Sequence, residues 1–324
     1  MTVSVIIPCY YAAKTIENVV REIKSEFSRH EEYSCQLILV NDGSTDETFS
    51  IIQRLCCEDD TIIGVDLTRN YGQESARFAG IHYATGDCAI YMDDDGQHRP
   101  ADIFQLIEKL QEGYDVVFAD IQNRKDSIFK RITSKLHGKI AEWIGNSPKG
   151  IHLSSFIACS STMIGIAKKY HSPFPSIGAF FTCVTTRFAN VPVEYKKRSE
   201  GSSNYNLRRL IALWLRAFTN FSIVPLRFAT FFGCLFAGGG LLFTLYNVIK
   251  KLLNPDVLAG FTSVISSIYL VGGMILILLG LIGEYIGRMY MTVSNKPQYV
   301  VRNVAGGNFT AEQHREIFER EQYQ

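Results

Sequence analysis

The chain has almost no net charge and lacks the residue patterns of several protein classes. Its 33 basic and 32 acidic residues leave a formal net charge of +1, and no aromatic-plus-basic nucleic-acid-binding module stands out. No nucleic-acid partner is therefore predicted. The eight cysteines show no metal-ligand spacing, since Cys56 and Cys57 are adjacent and the others are scattered in apolar contexts. Buried, reduced thiols in a cytosolic compartment are the simplest interpretation.

The N-terminus lacks a basic segment followed by a long apolar one, and residues 3–7 instead form a short strand-like run. A cleavable signal peptide is therefore not expected. The chain of 324 residues is long enough for one catalytic domain and a further part. Hydrophobic residues make up 47% of the chain, a slightly high share, and they are concentrated after Ile223. The further part is therefore apolar.

Short apolar runs alternate with helical stretches over residues 1–120. This alternation predicts an α/β fold with a mostly parallel, doubly wound sheet whose strands are buried on both faces. The predicted strands are Val3–Ile7, Leu37–Val40, Ile62–Asp66, Ala89–Met92 and Val116–Ala119. The predicted helices are Thr15–Arg29, Thr45–Leu55, Gly72–Ala84 and Pro100–Gln111.

Two acidic motifs follow predicted strands. Asp93, Asp94 and Asp95 come directly after an apolar run, and Asp42 lies in the turn after the second strand. Open α/β sheets bind ligands at the carboxyl ends of their strands, and carboxylates there favour Mg²⁺ or Mn²⁺ held together with a substrate's phosphates. A solvated acidic turn explains the triplet alone equally well. The two motifs together favour a nucleotide diphosphate site, with Asp42 near the base or ribose.

Two long uncharged runs follow, at about residues 228–249 and 257–283. Each is close to the ~20 residues that a helix needs to cross a bilayer, so two transmembrane helices are predicted within residues 223–290. Arginines and lysines are concentrated before the first run and after the second. The positive-inside rule then places the catalytic domain and both termini, including a tail of residues 291–324, in the cytoplasm.

Two basic amphipathic segments contain tryptophan. Residues 127–145 place five apolar side chains on one helical stripe flanked by lysine and arginine. This pattern is typical both of a surface helix packed on its own domain and of a helix lying in a membrane interface, and it does not separate the two. Residues 207–222 repeat the pattern and lead into the first apolar run, which predicts a juxtamembrane helix.

The segments IIPCYY, VNDGSTD, RNYGQESA and MDDDGQ follow one another along the chain. In this order and spacing they resemble the motifs of inverting family-2 glycosyltransferases with the GT-A fold. Further on, QNRKDSIFKR, RSEGSSNY, the two apolar runs and GEYIGRMY with KPQYVV are similar to the polyprenyl-phosphate glycosyltransferases. That group contains the bactoprenol glucosyltransferases, the undecaprenyl-phosphate aminoarabinose transferases and dolichol-phosphate mannose synthase. The resemblance covers residues 2–302 and implies a GT-A (Rossmann-like) domain over residues 1–206.

The resemblance also implies roles for individual residues. Asp95 is expected to bind Mg²⁺ or Mn²⁺ and to be catalytic together with His152 and Arg198. The expected donor-binding residues are Pro8, Tyr10, Asp42, Arg69, Gln73, Asp93, Asp94 and Gln97. The expected residues for the acceptor and its phosphate are Arg124, Arg131, Ser203 and Tyr205.

Several positions depart from the family pattern. Tyr11 and Ala12 stand where relatives have Asn and Glu, Asn41 replaces an Asp, and His152 replaces an acid proposed as the general base. A phosphate monoester has a second pKa of about 6, so at neutral pH it needs positioning more than proton removal. We expect His152 either to orient the acceptor phosphate or to be a structural replacement.

The resemblance implies inverting transfer of one sugar from a nucleotide-sugar, expected to be a UDP-sugar, to undecaprenyl or another polyprenyl phosphate. The expected setting is the cytoplasmic face of the bacterial inner membrane, in cell-envelope glycan modification. A homo-oligomer, which is a tetramer in some relatives, and a downstream flippase are further expected partners. The sugar is not identified by the sequence.

Two alternatives stay open. A processive polysaccharide synthase of the same fold is disfavoured, because the chain has no Q-x-x-R-W motif and no further apolar runs. A catalytically degenerate membrane scaffold is suggested by the departures from the family pattern, but the intact acid triplet argues against it.

Overall fold

A computed structural model describes residues 1–122, 150–194, 261–294 and 296–307, together with scattered positions between 231 and 253. The chain divides into two compact units. The first unit, which we call the α/β unit, comprises Met1–Asn204 and Pro297–Gln324, and the second comprises Tyr205–Lys296.

The α/β unit is built on one sheet, in which eight strands are described. In chain order they are β1 (Thr2–Cys9), β2 (Ser34–Asn41), β3 (Ile62–Leu67), β4 (Cys88–Tyr91), β5 (Val116–Gln122), β6 (Ile157–Ser160), β7 (Phe188–Glu194) and β8 (Val301–Ala305). Their order across the sheet is β7-β5-β6-β4-β1-β2-β3-β8. Strands β1 to β4 are mutually parallel, β6 runs antiparallel between β4 and β5, and β5 is parallel to β7. The five predicted strands and the mostly parallel sheet are confirmed.

Helices cover both faces of the sheet. They are α1 (Ile16–Phe27), α2 (Thr48–Glu58), α3 (Gln73–His82), α4 (Asp102–Gln111), α5 (Ser161–Ala167) and α6 (Ile177–Val184). The first four confirm the predicted helices. In α1, for example, Ile16, Val19, Val20, Ile23 and Phe27 recur at helical spacing, and all five are buried.

Alternation along the strands explains why both faces are covered. Val3, Val5 and Ile7 of β1 point into one core, together with side chains of α1, α2 and α4. Ile6 points into the opposite core, which α3, α5 and α6 close. A strand buried on both faces is an almost continuous apolar run, as the sequence shows. Because β1 to β4 are parallel, their carboxyl ends lie along one edge of the sheet, which is where open α/β folds bind ligands.

Strand β8 is an element that the sequence analysis did not anticipate, since it lies within the predicted tail. It pairs antiparallel with β3, from Gly64 opposite Ala305 to Leu67 opposite Val301. Tyr299 and Val301 are buried in the core of the α/β unit. A five-residue strand at a sheet edge carries too few apolar residues for its periodicity to be recognised.

The second unit contains helix α7 (Phe261–Val293). It includes most of the second predicted span and continues ten residues beyond it. Among the described residues, one segment, Val271–Val293, is long and apolar enough to cross a membrane, with a mean hydropathy of 1.6. The predicted helices at 127–145 and 207–222, and most of the first predicted span, lie outside the described residues.

Candidate active site

The acid triplet lies at the carboxyl edge of the sheet, between β4 and α4, and its three side chains are half-buried. It borders a cavity of about 310 Å³. The lining residues come from the ends of β1, β2 and β4 and from the segment that enters α3: Pro8, Cys9, Tyr10, Asp42, Asn70, Gly72, Gln73, Asp93, Asp94 and Asp95. Seven of the residues predicted from the sequence therefore meet in one place. Arg69 and Gln97 do not line the cavity.

Asp93 is bound by the protein itself. Its Oδ1 accepts hydrogen bonds from Gln73 Nε2 at 2.5 Å and Arg77 Nη2 at 2.9 Å, and its Oδ2 accepts one from Ser155 Oγ at 2.7 Å. Burial alone would raise its pKa, but Arg77, His98 and Ser155 outweigh burial and lower the pKa. Asp93 is thus held as a carboxylate whose oxygens are already engaged, and it organises the site.

Arg77 is a functional residue that the sequence analysis missed. Its side chain is 4% exposed and also pairs with Glu74, at 2.8 Å. A buried guanidinium next to three clustered acids offsets part of their mutual repulsion. Gln73 and Arg77 are four residues apart on α3, so they lie on one face of the helix. This spacing is the signal in the sequence that points to Arg77 as a residue of the site. The common partner of these two residues, Asp93, is evident only from the tertiary structure.

Asp94 differs from Asp93 in its environment. Its Oδ2 accepts the backbone N–H of Tyr10 at 3.1 Å. Burial raises its pKa to about 6, and the neighbouring charges of Asp93 and Asp95 add to this, against the hydrogen bond from Tyr10. A bound cation would favour its ionised form. The group is therefore poised to lose a proton when positive charge enters the cavity.

Asp95 closes the motif through a short turn. Its Oδ1 accepts the backbone N–H of Gln97 at 3.1 Å, across Gly96, whose φ is +69°. The turn leaves the Asp95 side chain in the cavity lining while directing the chain towards α4.

Asp42 fixes the segment that forms the opposite wall. Its two oxygens accept the backbone N–H groups of Tyr71 at 2.7 Å and Gly72 at 2.9 Å. Burial raises its pKa, against these two hydrogen bonds. Gly43 makes the close approach possible, because its φ is +67° and a Cβ there would lie 2.2 Å from the backbone carbon of Arg69. Each Asp42 oxygen retains a second lone pair for a ligand.

Tyr10 lines the cavity, and Tyr11 and Tyr71 are neighbours in the chain of lining residues. Tyr10 and Tyr11 are 49% and 53% exposed, and their rings meet edge to face with centroids 4.6 Å apart. Tyr11 has a φ of +52°, unusual for a non-glycine residue, and its backbone N–H is bound by Ser44. The Arg69 guanidinium lies 4.7 Å from the ring centroid of Tyr71.

The departure at Asn41 has a structural explanation. Asn41 Nδ2 donates to Asp66 Oδ1 at 2.7 Å, and both side chains are buried. An aspartate at position 41 would face Asp66 as a like charge in a dry environment. Arg302 of β8 contributes a further contact, donating to the backbone oxygen of Thr68 at 2.7 Å. The substitution is therefore matched by its neighbours and does not indicate a degenerate site.

His152 lies on a different part of the same edge. Its Nδ1 is 2.9 Å from Asp120 Oδ1, and its side chain is 73% exposed. It does not line the cavity. Arg124, Arg131, Arg198, Ser203 and Tyr205 lie outside the described residues.

The described part of the chain contains no group of three His, Cys, Asp or Glu side chains that would enclose a metal ion by themselves. The cavity nevertheless presents the carboxylates of Asp94 and Asp95 side by side. Mg²⁺ typically binds through one or two carboxylates and completes its shell with substrate phosphates and water. The donor set therefore fits a metal that arrives with a diphosphate, held by Asp95 with Asp94 beside it.

Comparison with solved structures gives distant similarity. Glucosyl-3-phosphoglycerate synthase from Mycobacterium tuberculosis aligns with a TM-score of 0.49 and 19% identity, over 67% of this chain and 76% of that one. This level of similarity is too low to transfer a ligand or a role.

Comparison with protein families and curated relatives is more informative. Residues 4–171 match glycosyl transferase family 2, and residues 224–289 match the GtrB C-terminal hairpin. A bactoprenol glucosyl transferase from Shigella flexneri is 32% identical, covering 95% of this chain and all of its own length. An undecaprenyl-phosphate 4-deoxy-4-formamido-L-arabinose transferase from Proteus mirabilis is 32% identical over 94% of both chains. The Bacillus subtilis glycosyltransferase YkcC is 30% identical over 94% of both. With the acid triplet at the carboxyl edge of its sheet, the chain belongs to glycosyl transferase family 2 and is a glycosyltransferase.

Proposed function

We propose that this glycosyltransferase moves one sugar from a UDP-sugar to undecaprenyl or another polyprenyl phosphate. The observation that carries the proposal is the cavity shared by Asp42 and the acid triplet, in a chain that matches bactoprenol and undecaprenyl-phosphate transferases along almost its whole length. Carboxylates repel a diphosphate anion that binds alone. A cavity lined by them suits a diphosphate that binds together with a divalent cation.

The donor would lie across the ends of β1, β2 and β4. Asp42 and the exposed ring of Tyr10 lie at the side suited to the nucleoside, since a carboxylate accepts hydrogen bonds from a base or ribose and an aromatic ring stacks on a base. Asp95 would hold Mg²⁺ or Mn²⁺ against the diphosphate. Bound there, the cation supplies neutralisation of the charge on the leaving diphosphate. Arg77 and Gln73 keep Asp93 in place through hydrogen bonds to its Oδ1.

The reaction follows from the acceptor's chemistry. An oxygen of the lipid phosphate forms the new bond to the anomeric carbon, while the bond from that carbon to the diphosphate oxygen breaks and UDP leaves with the electron pair. Attack opposite the leaving group inverts the configuration. Because the phosphate is already largely ionised at neutral pH, positioning contributes more than proton removal.

The second unit supports an acceptor confined to a bilayer. Apolar side chains of α7 are largely exposed, among them Val271 at 56%, Leu279 at 58% and Val293 at 74%. Such a surface is stable in lipid rather than in water. We propose two spans, at about 228–249 and 257–283, in the bacterial inner membrane. The catalytic domain, with both termini, would then face the cytoplasm, and the segments at 127–145 and 207–222 would lie at the interface.

One assay tests this function directly. Membranes containing the protein are incubated with radiolabelled UDP-sugars, undecaprenyl phosphate and Mg²⁺, and the organic phase is analysed. A lipid carrying one labelled sugar is the expected product. Lipid-linked chains of several sugars would favour a processive synthase. No lipid-linked label from any UDP-sugar, with folded protein, would contradict the proposal and favour a scaffold.

A further inference from the structure

Three side chains form a compact group at the carboxyl end of β5, outside the cavity described above. His152 Nδ1 lies 2.9 Å from Asp120 Oδ1. Asp120 belongs to β5, and its side chain is 26% exposed, against 73% for His152. The histidine ring therefore faces solvent and the carboxylate lies behind it. With Nδ1–H donated to Asp120, the other ring nitrogen, Nε2, is left for a ligand.

Asn190 of β7 holds the backbone of His152 by two hydrogen bonds. Its Oδ1 accepts the N–H of His152 at 2.9 Å, and its Nδ2 donates to the carbonyl oxygen of His152 at 2.8 Å. The same Nδ2 lies 3.2 Å from the carbonyl oxygen of Phe118 on β5. One amide thus fixes both backbone groups of a loop residue to the sheet. An exposed ion pair contributes little to stability. Stability alone therefore does not explain why Asn190 and Asp120 hold both the backbone and the ring of His152.

The strand register locates this group relative to the acid triplet. Ile157 of β6 pairs with Tyr91 of β4 on one side and with Phe118 of β5 on the other. Asp93 and Asp120 each lie two residues beyond these partners, so they are level with each other at the same edge. Neighbouring strands are about 4.8 Å apart, which separates the two aspartates by roughly 10 Å.

Ser155 precedes the first residue of the antiparallel strand β6 by two positions, which places it between these two aspartates, and it donates to Asp93 Oδ2 at 2.7 Å. Ser155 therefore lies between the carboxylate that borders the cavity and the carboxylate that binds His152. Asp93 and Asp120 are roughly two strand spacings apart. This separation leaves room for a second substrate that is held near His152 and whose reacting atom meets the donor between the two aspartates.

The chemistry of a fixed, exposed imidazole fits a phosphate monoester. In its protonated form the ring donates through Nδ1 to Asp120 and through Nε2 to an outside oxygen. A dianionic phosphate offers such oxygens and attracts positive charge, and a charge-assisted hydrogen bond fixes its direction as well as its place. Asp120 contributes the orientation of the ring.

We propose that His152 binds the phosphate of the acceptor lipid and that Asp120 is its positioning residue, an inference that rests on the proposed function. The sequence alone left two roles open for His152, orientation of the acceptor phosphate or structural replacement of an acid. The structure adds the acid on β5 and the amide on β7 that orient it.

The test compares His152→Gln and Asp120→Asn with the wild type, using the full chain and steady-state kinetics for each substrate. We expect His152→Gln to raise the KM for undecaprenyl phosphate about tenfold, the size expected for loss of one hydrogen bond to a charged group, and to leave the KM for the UDP-sugar within about twofold. Asp120→Asn keeps an acceptor for Nδ1–H and should give a smaller shift of the same KM. Unchanged acceptor KM, or equal changes in both KM values, would overturn the proposal.

A matched control is His30→Gln. His30 also pairs with an acid, Glu32, at 3.5 Å, but it precedes β2 and so lies at the amino edge of the sheet. It should leave both KM values unchanged.

Direct binding separates this inference from the proposed function. Farnesyl phosphate, farnesol and inorganic phosphate are each titrated into the wild type and His152→Gln in detergent, without any donor. A His152-dependent affinity for farnesyl phosphate, absent for farnesol, supports the inference even if no lipid-linked sugar is ever formed. Equal weakening for inorganic phosphate would show that the phosphate is recognised without its lipid. Identical binding of farnesyl phosphate by both proteins would refute the inference, whether or not the wild type transfers sugar.

Discussion

At the donor side of the sheet edge, carboxylates are held by backbone N–H groups and by one buried arginine. Beyond β6, by contrast, a single carboxylate is held against an exposed histidine. Asp42 and Asp94 bind backbone groups of neighbouring loops, and Asp93 binds Arg77. Asp120 binds His152. In the proposed function, the first arrangement would hold negative charge for a ligand that carries a cation, and the second would present a hydrogen-bond donor to an anion. The proposal therefore assigns ligands of opposite charge to two places on one sheet edge.

The largest effect should follow from removing the negative charge at Asp95. Asp95→Asn keeps the size of the side chain and an oxygen for the Gln97 N–H, but it removes a charged metal ligand. We expect sugar transfer to fall at least about a thousandfold, with an unchanged unfolding transition. Asp60→Asn, an exposed aspartate before β3, is the control and should retain activity. Normal transfer by Asp95→Asn would remove the metal assignment.

The next largest effect should follow from Arg77→Met. Arg77→Met removes the buried guanidinium that pairs with Asp93, and we expect a loss of about 3 kcal/mol in the free energy of unfolding. Arg99 and Glu194 form a pair of the same chemistry at 2.7 Å on the surface, with side chains 39% and 76% exposed. Arg99→Met should therefore cost less than about 1 kcal/mol. Chemical denaturation of the full chain in detergent measures both, and equal losses would contradict the role given to Arg77.

The close approach at Gly43 gives a smaller expected effect. Gly43→Ala adds a Cβ that meets the backbone of Arg69 and Asn70, whereas at Gly72 a Cβ meets no atom within 4 Å and only the φ of +94° is unfavourable. The strained backbone alone costs about 1–3 kcal/mol in either case. We expect Gly43→Ala to destabilise the chain more and to raise the KM for the donor more than Gly72→Ala. The reverse order would show that the close approach at Gly43 does not control the position of the segment that Asp42 binds at Tyr71 and Gly72.

The smallest effect concerns pH. The folded-state pKa of Asp94, about 6, lies above its unfolded value of 3.8. Between pH 4 and pH 6 the folded chain therefore binds more protons than the unfolded chain, and stability falls as pH rises through this window. In the presence of a chelator, Asp94→Asn should become more stable than the wild type by about 1–2 kcal/mol at pH 7 and lose this advantage near pH 4. Thermal unfolding at a series of pH values measures the difference, and a constant difference would contradict the assignment.

The residues around the cavity could be predicted from the sequence because the signals for them lie in neighbouring positions of the chain. Apolar runs marked the strands, and the acids came directly after two of them, so the parallel topology brought Asp42 and Asp93 to one edge. The resemblance to family 2 added roles that the pattern alone left open. The same local reasoning failed for β8, where five residues at an edge carry little periodicity.

Other features depend on contacts between distant segments. The partner of Arg77 is 16 residues away, that of Asn41 is 25 away and that of His152 is 32 away. Without strand order and register, a histidine in place of an acid and an asparagine in place of an aspartate both indicate loss of function. With strand order and register known, each of the two side chains has a hydrogen-bond partner on a neighbouring strand, Asp120 for His152 and Asp66 for Asn41.

Calorimetric titration of UDP decides whether the acid triplet forms a metal–diphosphate site. UDP is titrated into the full chain and into Asp95→Asn, with Mg²⁺ and with a chelator. We expect the wild type to bind UDP more tightly with Mg²⁺ than without it, and this metal-dependent gain to be lost in Asp95→Asn. UDP affinity that is the same in both proteins and independent of the metal would contradict a metal–diphosphate site at the acid triplet.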